Sequence, residues 1–267
     1  MTPPRAPAAT RVTVSLLGLG LAALLGTAGC SALSSPPTAA KPPITAPTSA
    51  GPSKSPKASP ANPTTLTEAM AQAALVTDVD LGEPWVPTQG AATWHDGVLK
   101  AKTKKRDCQR LLDALYADEL FGAGARPRAV IGLDDEWNEA QLRFQVLARP
   151  PAEIDKTLGW MKSVPRKCGQ FAATTTTGAV FGVQVTDAQL PETGDARQGL
   201  RVLLTGESPD GEPVTLRLDV AAVRVGQDAI SVTNGGFGDV LTDATQTAVQ
   251  LGAQRLEEIR KQGRVRV

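Results

Sequence analysis

The chain has 267 residues, with 28 basic and 27 acidic side chains, one histidine and a formal charge of +1. Five of the basic residues precede residue 64 and no acidic one does, so the remainder holds 23 basic against 27 acidic side chains, a net charge near −4. A mildly acidic body of that kind lacks the footprint of a nucleic-acid binder, and no nucleic-acid partner is expected.

The N-terminus carries Arg5 and Arg11, then an uncharged Leu- and Gly-rich run from Val12 to Gly26, then "TAGC" ending at Cys30. A positive end, a short apolar core and small residues before a cut form the layout of a secretory signal. The apolar run is shorter than the roughly 20 residues a membrane span requires. "Thr-Ala-Gly-Cys" resembles a bacterial lipobox, with Thr27 in place of the commoner leucine. The resemblance implies that residues 1–29 are removed and that Cys30 is acylated, tethering the chain to the outer face of the cell membrane. An ordinary signal peptide with a chance cysteine is the competing reading.

Residues 31–63 hold nine prolines and seven serines, with Lys41, Lys54 and Lys57 as the only charges. Such a segment cannot bury enough apolar surface to offset its ordering entropy, so residues 30–63 read as a disordered, lipid-anchored tether. As extended polyproline II it would reach about 100 Å.

Residues 64–267 are long enough for one domain with a sizeable core. "TLTEAMAQAALV" has helical spacing, with Leu66, Ala69 or Met70, and Ala73 on one side. Thr77 then reads as an N-cap and Gly82 as a stop. "DCQRLLDALYADELFG" predicts a helix capped by Asp107, striped by Cys108, Leu111, Leu112 and Leu115, and ended by Gly122. "RAVIGLDDEW" and "NEAQLRFQVLARP" predict a hairpin in which Leu142, Phe144, Val146 and Ala148 alternate with Arg143, Gln145 and Leu147. "PPAEIDKTLGWMKSVPRKC" starts with prolines suited to a first helical turn and buries Ile154, Leu158 and Met161, with Trp160 in the core and a break at Pro165. After the polar "TTTTG", "AVFGVQVTDA" alternates. "SPDG" and "VGQD" then join further strands into an antiparallel meander. The C-terminal stretch predicts a long helix with Ala244, Ala248, Leu251 and Ile259 inward. Strands in runs with helices set apart predict an α+β fold, an antiparallel sheet covered by helices on one face.

Cys108 and Cys168 are the two remaining cysteines. In an exported protein two thiols read as one disulfide. A zinc site would need ligands in close pairs, and a nucleophilic cysteine would need an activating histidine, for which only His95 is available.

The order "AALVTDVDLGEPW", "CQRLLDAL", a strand pair, "DKTLGWMKSVPRKCGQF" and "VRVGQDAISVTNGG" before a last helix resembles the PknH-like extracellular sensor domains, over about Leu66 to Ile259. These occur outside receptor Ser/Thr kinases and as free lipoproteins of actinobacteria. The resemblance implies an α+β domain with a cleft between sheet and helices that binds an unidentified ligand. Kinase-linked members have a second disulfide, whereas this chain has one pair. With no kinase domain or membrane span in the sequence, any signal would have to pass to a separate partner.

No GxSxG, HExxH, CxxC or GxxxxGK[ST] motif occurs, and neither catalytic residues, metal nor cofactor are expected. "DVDLGEP" departs from a calcium loop, with glycine at loop position five and Gln89 at position twelve. Lys100 to Arg110 reads as a solvated basic loop leading into a helix, the alternative being a phosphate or anionic-lipid patch. Asp134, Asp135 and Glu136 read as solvated acids of a turn, and His95 as a loop histidine bonded to a neighbour. Trp85 is either a core plug or a cleft wall. If a pocket exists, Trp85 and Trp94 are its candidate lining. The function expected is a non-catalytic, membrane-anchored ligand-binding or sensor lipoprotein. The alternative is a structural or interaction protein of the cell envelope, holding a partner protein or a wall polymer.

Overall fold

A computed structural model describes residues 65–265, except 209 and 239. The signal segment, Cys30 and the tether expected over residues 30–63 lie outside the described residues.

The described chain forms nine strands in one antiparallel sheet, in the order β1-β3-β4-β9-β8-β7-β6-β5-β2. Its elements are α1 (Glu68–Ala73), α2 (Asp78–Leu81), β1 (Trp85–Pro87), a π-turn (His95–Leu99), β2 (Ala101–Lys102), α3 (Arg106–Tyr116), β3 (Ala129–Asp135), β4 (Ala140–Ala148), α4 (Pro151–Cys168), β5 (Gln170–Thr175), β6 (Val180–Ala188), β7 (Ala196–Glu207), β8 (Pro213–Val225), β9 (Asp228–Gly236) and α5 (Thr242–Val265).

The α+β class and the antiparallel sheet are as expected, and Cys108 is bridged to Cys168. The helices, however, divide between the two faces instead of covering one. On β8, Leu216, Leu218, Val220 and Ala222 join α3 and α4 in one core, whereas Ala221 and Val223 join α1 and α5 in another. Because successive side chains on a strand point to opposite faces, the two cores lie on opposite sides of the sheet. α4 packs on β6, β7 and β8, and α5 packs on β8 and β9. The sign of this in the sequence is "LDVAAV", residues 218–223, buried without interruption in the middle of β8. A strand covered on both faces loses its alternation. The same holds at the end of β4, where Gln145 and Leu147 are buried along with Phe144 and Val146.

Several boundaries shift. α1 begins one residue after its cap Thr67, whose side chain accepts from the Met70 N–H. Its buried positions are Ala71 and, just beyond its end, Ala74, not Ala73. α3 ends at Tyr116, short of Gly122, and its N-cap is Lys105, which places Asp107 in the first turn. α4 runs through Pro165 to Cys168. A proline in the last turn removes one ladder hydrogen bond near an end where the ladder is finishing anyway, and the bridge at Cys168 anchors the turn beyond it. The polar "TTTTG" conceals the end of β5, in which Phe171 and Ala173 face the core while Ala172 and Thr174 face outward.

Glycine permits two close approaches. A Cβ on Gly252 of α5 would lie 2.3 Å from Phe144 Cζ, so the helix rests directly on β4 there. A Cβ on Gly235 of β9 would lie 3.2 Å from Trp94 Cη2, so the Trp94 ring lies across bare backbone.

Candidate functional site

On the face that carries α3 and α4, the half of the sheet beyond β8 presents polar side chains: Gln141, Arg143 and Gln145 on β4, and Ser231 and Thr233 on β9. An apolar helix face laid on such a row would strand its polar atoms. Connecting segments cover it instead. Gln145 donates to the Asp118 carbonyl at 3.2 Å, and Arg143 pairs with the Asp118 carboxylate at 3.1 Å. Burial pushes the Asp118 carboxyl up, against the opposing pull of Arg143 and His95.

The segment leading from β1 to the π-turn is held chiefly by Gln141. Its Nε2 donates to Thr88 Oγ1 at 2.9 Å, to the Gly90 carbonyl at 2.9 Å and to Asp134 Oδ1 at 2.8 Å. Its Oε1 accepts from the Ala92 N–H at 3.3 Å. Thr88 packs against Gly132, where a Cβ would come within 2.6 Å of its methyl. Between this segment and the ends of β3 and β4 lies an open cleft of about 400 Å³, walled by Gln89, Trp94, Asp134, Glu139, Gln141 and Phe237 among others.

Two of its three carboxylates are engaged by the fold. Asp134 accepts from the Gln89 N–H at 3.3 Å and from Gln141. Asp135 accepts from the Trp137 and Asn138 N–H groups, each at 3.0 Å, and from the Asn138 side chain at 2.8 Å. Asp135 thus builds the β3–β4 turn, but at the end of β3 it is buried, at 1% exposed, and not the solvated acid expected; the three hydrogen bonds it accepts compensate for that burial. Glu139 is exposed, on left-handed backbone at φ 52°. Among the described residues no group of three or more His, Cys, Asp or Glu is placed to hold a metal, and no helix is long and apolar enough to cross a membrane.

The two tryptophans singled out from sequence part company. Trp94 is 5% exposed and lines the cleft, with its Nε1 buried and unpartnered among the described residues. Trp85 is equally buried, but in the core beneath α1 and α5, where it acts as a plug. His95 Nδ1 lies 3.3 Å from Asp96, as expected of a loop histidine, and its ring stacks on Tyr116 at 5.1 Å. Trp160 is only half-buried, and Arg110 lies over its ring at 4.1 Å.

Sequence reasoning passes over Gln141 and Phe237. The signal for Gln141 is its parity on the polar side of β4. For Phe237 it is an aromatic residue directly after "NGG", where nothing apolar is needed to end a strand. Trp137, at 73% exposed, and Phe237, at 40%, stand at this end of the sheet. Their loops adjoin, since a Cβ on Gly238 would lie 2.6 Å from the Asn138 carbonyl. A second hollow, about 450 Å³, lies on strand surface around Gly182 and Leu203.

No protein-family profile matches the sequence, and no curated protein matches it. Among solved structures the chain is similar to the crystal structure of the extracellular domain of PknH from Mycobacterium tuberculosis, at 18% identity and a TM-score of 0.44, over 75% of this chain and 100% of that one.

Proposed function

We propose that this is an exported, non-catalytic binding or sensor domain, tethered to the outer face of the membrane through an acylated Cys30, that takes a ligand in the cleft between the Gln89–Trp94 segment and the β3–β4 hairpin. The observation that carries the reading is the network around Gln141: one side chain holds the floor and one wall of an open cleft in fixed relation, which is the preorganisation a binding site needs. The lipobox-like "TAGC" and the order of segments resembling PknH-like sensor domains support the export and sensor parts.

The test is native mass spectrometry of the full chain purified from the organism that produces it. A reproducible added mass beyond the lipid on Cys30, lost in Gln141→Ala, supports a ligand-binding module. The exposed Trp137 and Phe237 favour one other reading, an envelope protein that docks a partner through this end of the sheet. A spectrum with no mass added beyond that lipid, and a protein cross-linked through a photoreactive residue at position 137, would establish that reading instead.

A further inference from the structure

Positive charge is gathered at the other edge of the sheet. Residues 101–110 and 162–170 hold eight basic side chains against one acid, Asp107, on a body whose net charge is near −4. All eight are exposed. The fold brings these two distant strips together. The bridge holds the Cα atoms of Cys108 and Cys168 5.5 Å apart, Lys105 Nζ donates to the Gln170 carbonyl at 3.2 Å, and Lys102 of β2 pairs with Thr174 of β5. The basic loop seen in the sequence is thus half of a larger face. Of the eight, only Lys167 pairs with a carboxylate among the described residues, that of Asp107 at 3.5 Å.

This face stands against local cost. Arg106 and Arg110 on α3, and Lys162 and Arg166 on α4, are like charges one turn apart, which destabilises a helix. Lys104, Lys105 and Arg106 crowd the N-terminus of α3, the positive end of its dipole, and Lys105 supplies no side-chain cap there. An opposing anionic surface relieves each of these repulsions. Neither hollow described above is lined by any of the eight, so the charge is spread over two helices and a strand and not gathered around one small anion. Long, hydrated lysine and arginine side chains spread in this way fit an extended anionic surface. Among such surfaces, a bilayer is the one beside which an acylated Cys30 holds the domain at high effective concentration. Trp160, half-buried under Arg110, supplies an amphipathic ring of the kind that sits at headgroup level.

We propose that the face built from α3, the end of α4 and β2 docks on the surface of an anionic lipid bilayer. The choice of a bilayer rests on the reading that Cys30 is acylated, whereas the anionic character of the partner does not.

The experiment reconstitutes the full chain, purified from the organism that produces it, on vesicles of phosphatidylcholine alone or of equal parts phosphatidylcholine and phosphatidylglycerol. Co-sedimentation is measured first, then amine labelling of individual lysines by mass spectrometry. The chain should sediment with both compositions through its lipid. Lys102 and Lys167 should label at least about fivefold more slowly on the anionic vesicles, an effect that high salt removes. Lys261, on α5 across the sheet, should label alike on both. Lys104→Glu with Lys105→Glu should abolish the protection. Arg128→Glu with Lys261→Glu, equal in charge and away from this face, should keep it. Equal labelling on both compositions, or protection lost in both double variants, overturns the proposal. Protection absent on vesicles but produced by soluble polyphosphate assigns the face to a free anionic polymer and overturns the membrane. If the chain fails to sediment with neutral vesicles, the acylation reading falls by itself. Salt-sensitive sedimentation with anionic vesicles then upholds docking, and its absence overturns docking as well.

Discussion

Gln141 Nε2 lies 2.8 Å from Asp134 Oδ1 across the register that pairs the two residues on β4 and β3. The pair is the floor of the cleft, and the same amide reaches up to Thr88 and Gly90 in its wall. Gln141→Ala therefore removes the two N–H donors shared among three acceptors and strands the Ala92 N–H, at a cost of about 1–3 kcal/mol. Hydrogen–deuterium exchange should show faster exchange over residues 88–92, with β8 and β9 unchanged. Uniformly faster exchange would mean that the glutamine supports the whole sheet and not the wall.

The bridge between Cys108 and Cys168 closes a loop with a sequence separation of 60 and ties the first turn of α3 to the last turn of α4. Constraint of the unfolded chain by a loop of that length is worth about 4 kcal/mol in the chain-entropy model. Both sulfurs are buried in the core beneath α3 and α4. Denaturant titration of the Cys108→Ala, Cys168→Ala double variant should give a stability lower by about that amount. Alkylation of two thiols in the untreated native protein would refute the bridge.

Asp228, at 0% exposed, sits where β8 turns into β9 and is paired with Arg260 of α5. Removing the arginine leaves a buried carboxylate uncompensated, so Arg260→Ala should cost about 3–5 kcal/mol. Asp228→Asn removes the charge together with its desolvation and should cost less. Burial pushes the Asp228 carboxyl up despite Arg260. The folded state then holds that proton more tightly than the unfolded state, and stability from this group rises as pH falls through its folded value toward the ordinary one. Denaturation curves of Asp228→Asn should lack this component. Equal losses in the two variants would show that the ion pair is not the stabilising feature.

Asp80 behaves in the opposite way. Arg255 of α5 donates to both its oxygens, at 2.8 and 2.5 Å, and to the Leu75 carbonyl at 2.6 Å. The arginine, helped by Thr77, holds the Asp80 carboxyl down at about 2. The contribution is present above the ordinary carboxylate value of 3.8 and is lost as pH falls from there through about 2. Arg255→Ala should cost about 2 kcal/mol at neutral pH and flatten the acid limb between about pH 4 and 2. An acid limb as steep as that of the parent protein would exclude this pair as its source.

Anchoring is tested at the other end of the chain. If Cys30 carries the lipid as proposed, Cys30→Ala should either release the protein from the membrane fraction or leave it unprocessed. Fractionation and N-terminal sequencing distinguish these, and wild-type behaviour would remove the lipid from the proposal.

Local pattern alone was enough for a large part of this molecule. The stripe Cys108, Leu111, Leu112, Leu115 marks α3, the alternation of Leu142, Phe144 and Val146 marks β4, and a pair of cysteines in a chain that reads as exported marks the bridge. Each depends on contacts that repeat at the period of a helix or a strand, and so is written in a few adjacent residues. What the tertiary structure decided is everything that depends on which elements meet. The unbroken burial of residues 218–223 shows two-sided cover but does not say that α4 takes one face and α5 the other. Trp85 and Trp94 look alike in sequence, and only the pairing of β1 with β3 and the seat of Trp94 over Gly235 send them into cores on opposite faces of the sheet, with Trp94 alone beside the cleft. Gln141 and Phe237 become neighbours of the same space through the β4–β9 register, which pairs Ala140 with Gly236 from the far end of the chain. A cleft is a relation between distant segments, and no window of neighbouring residues contains it.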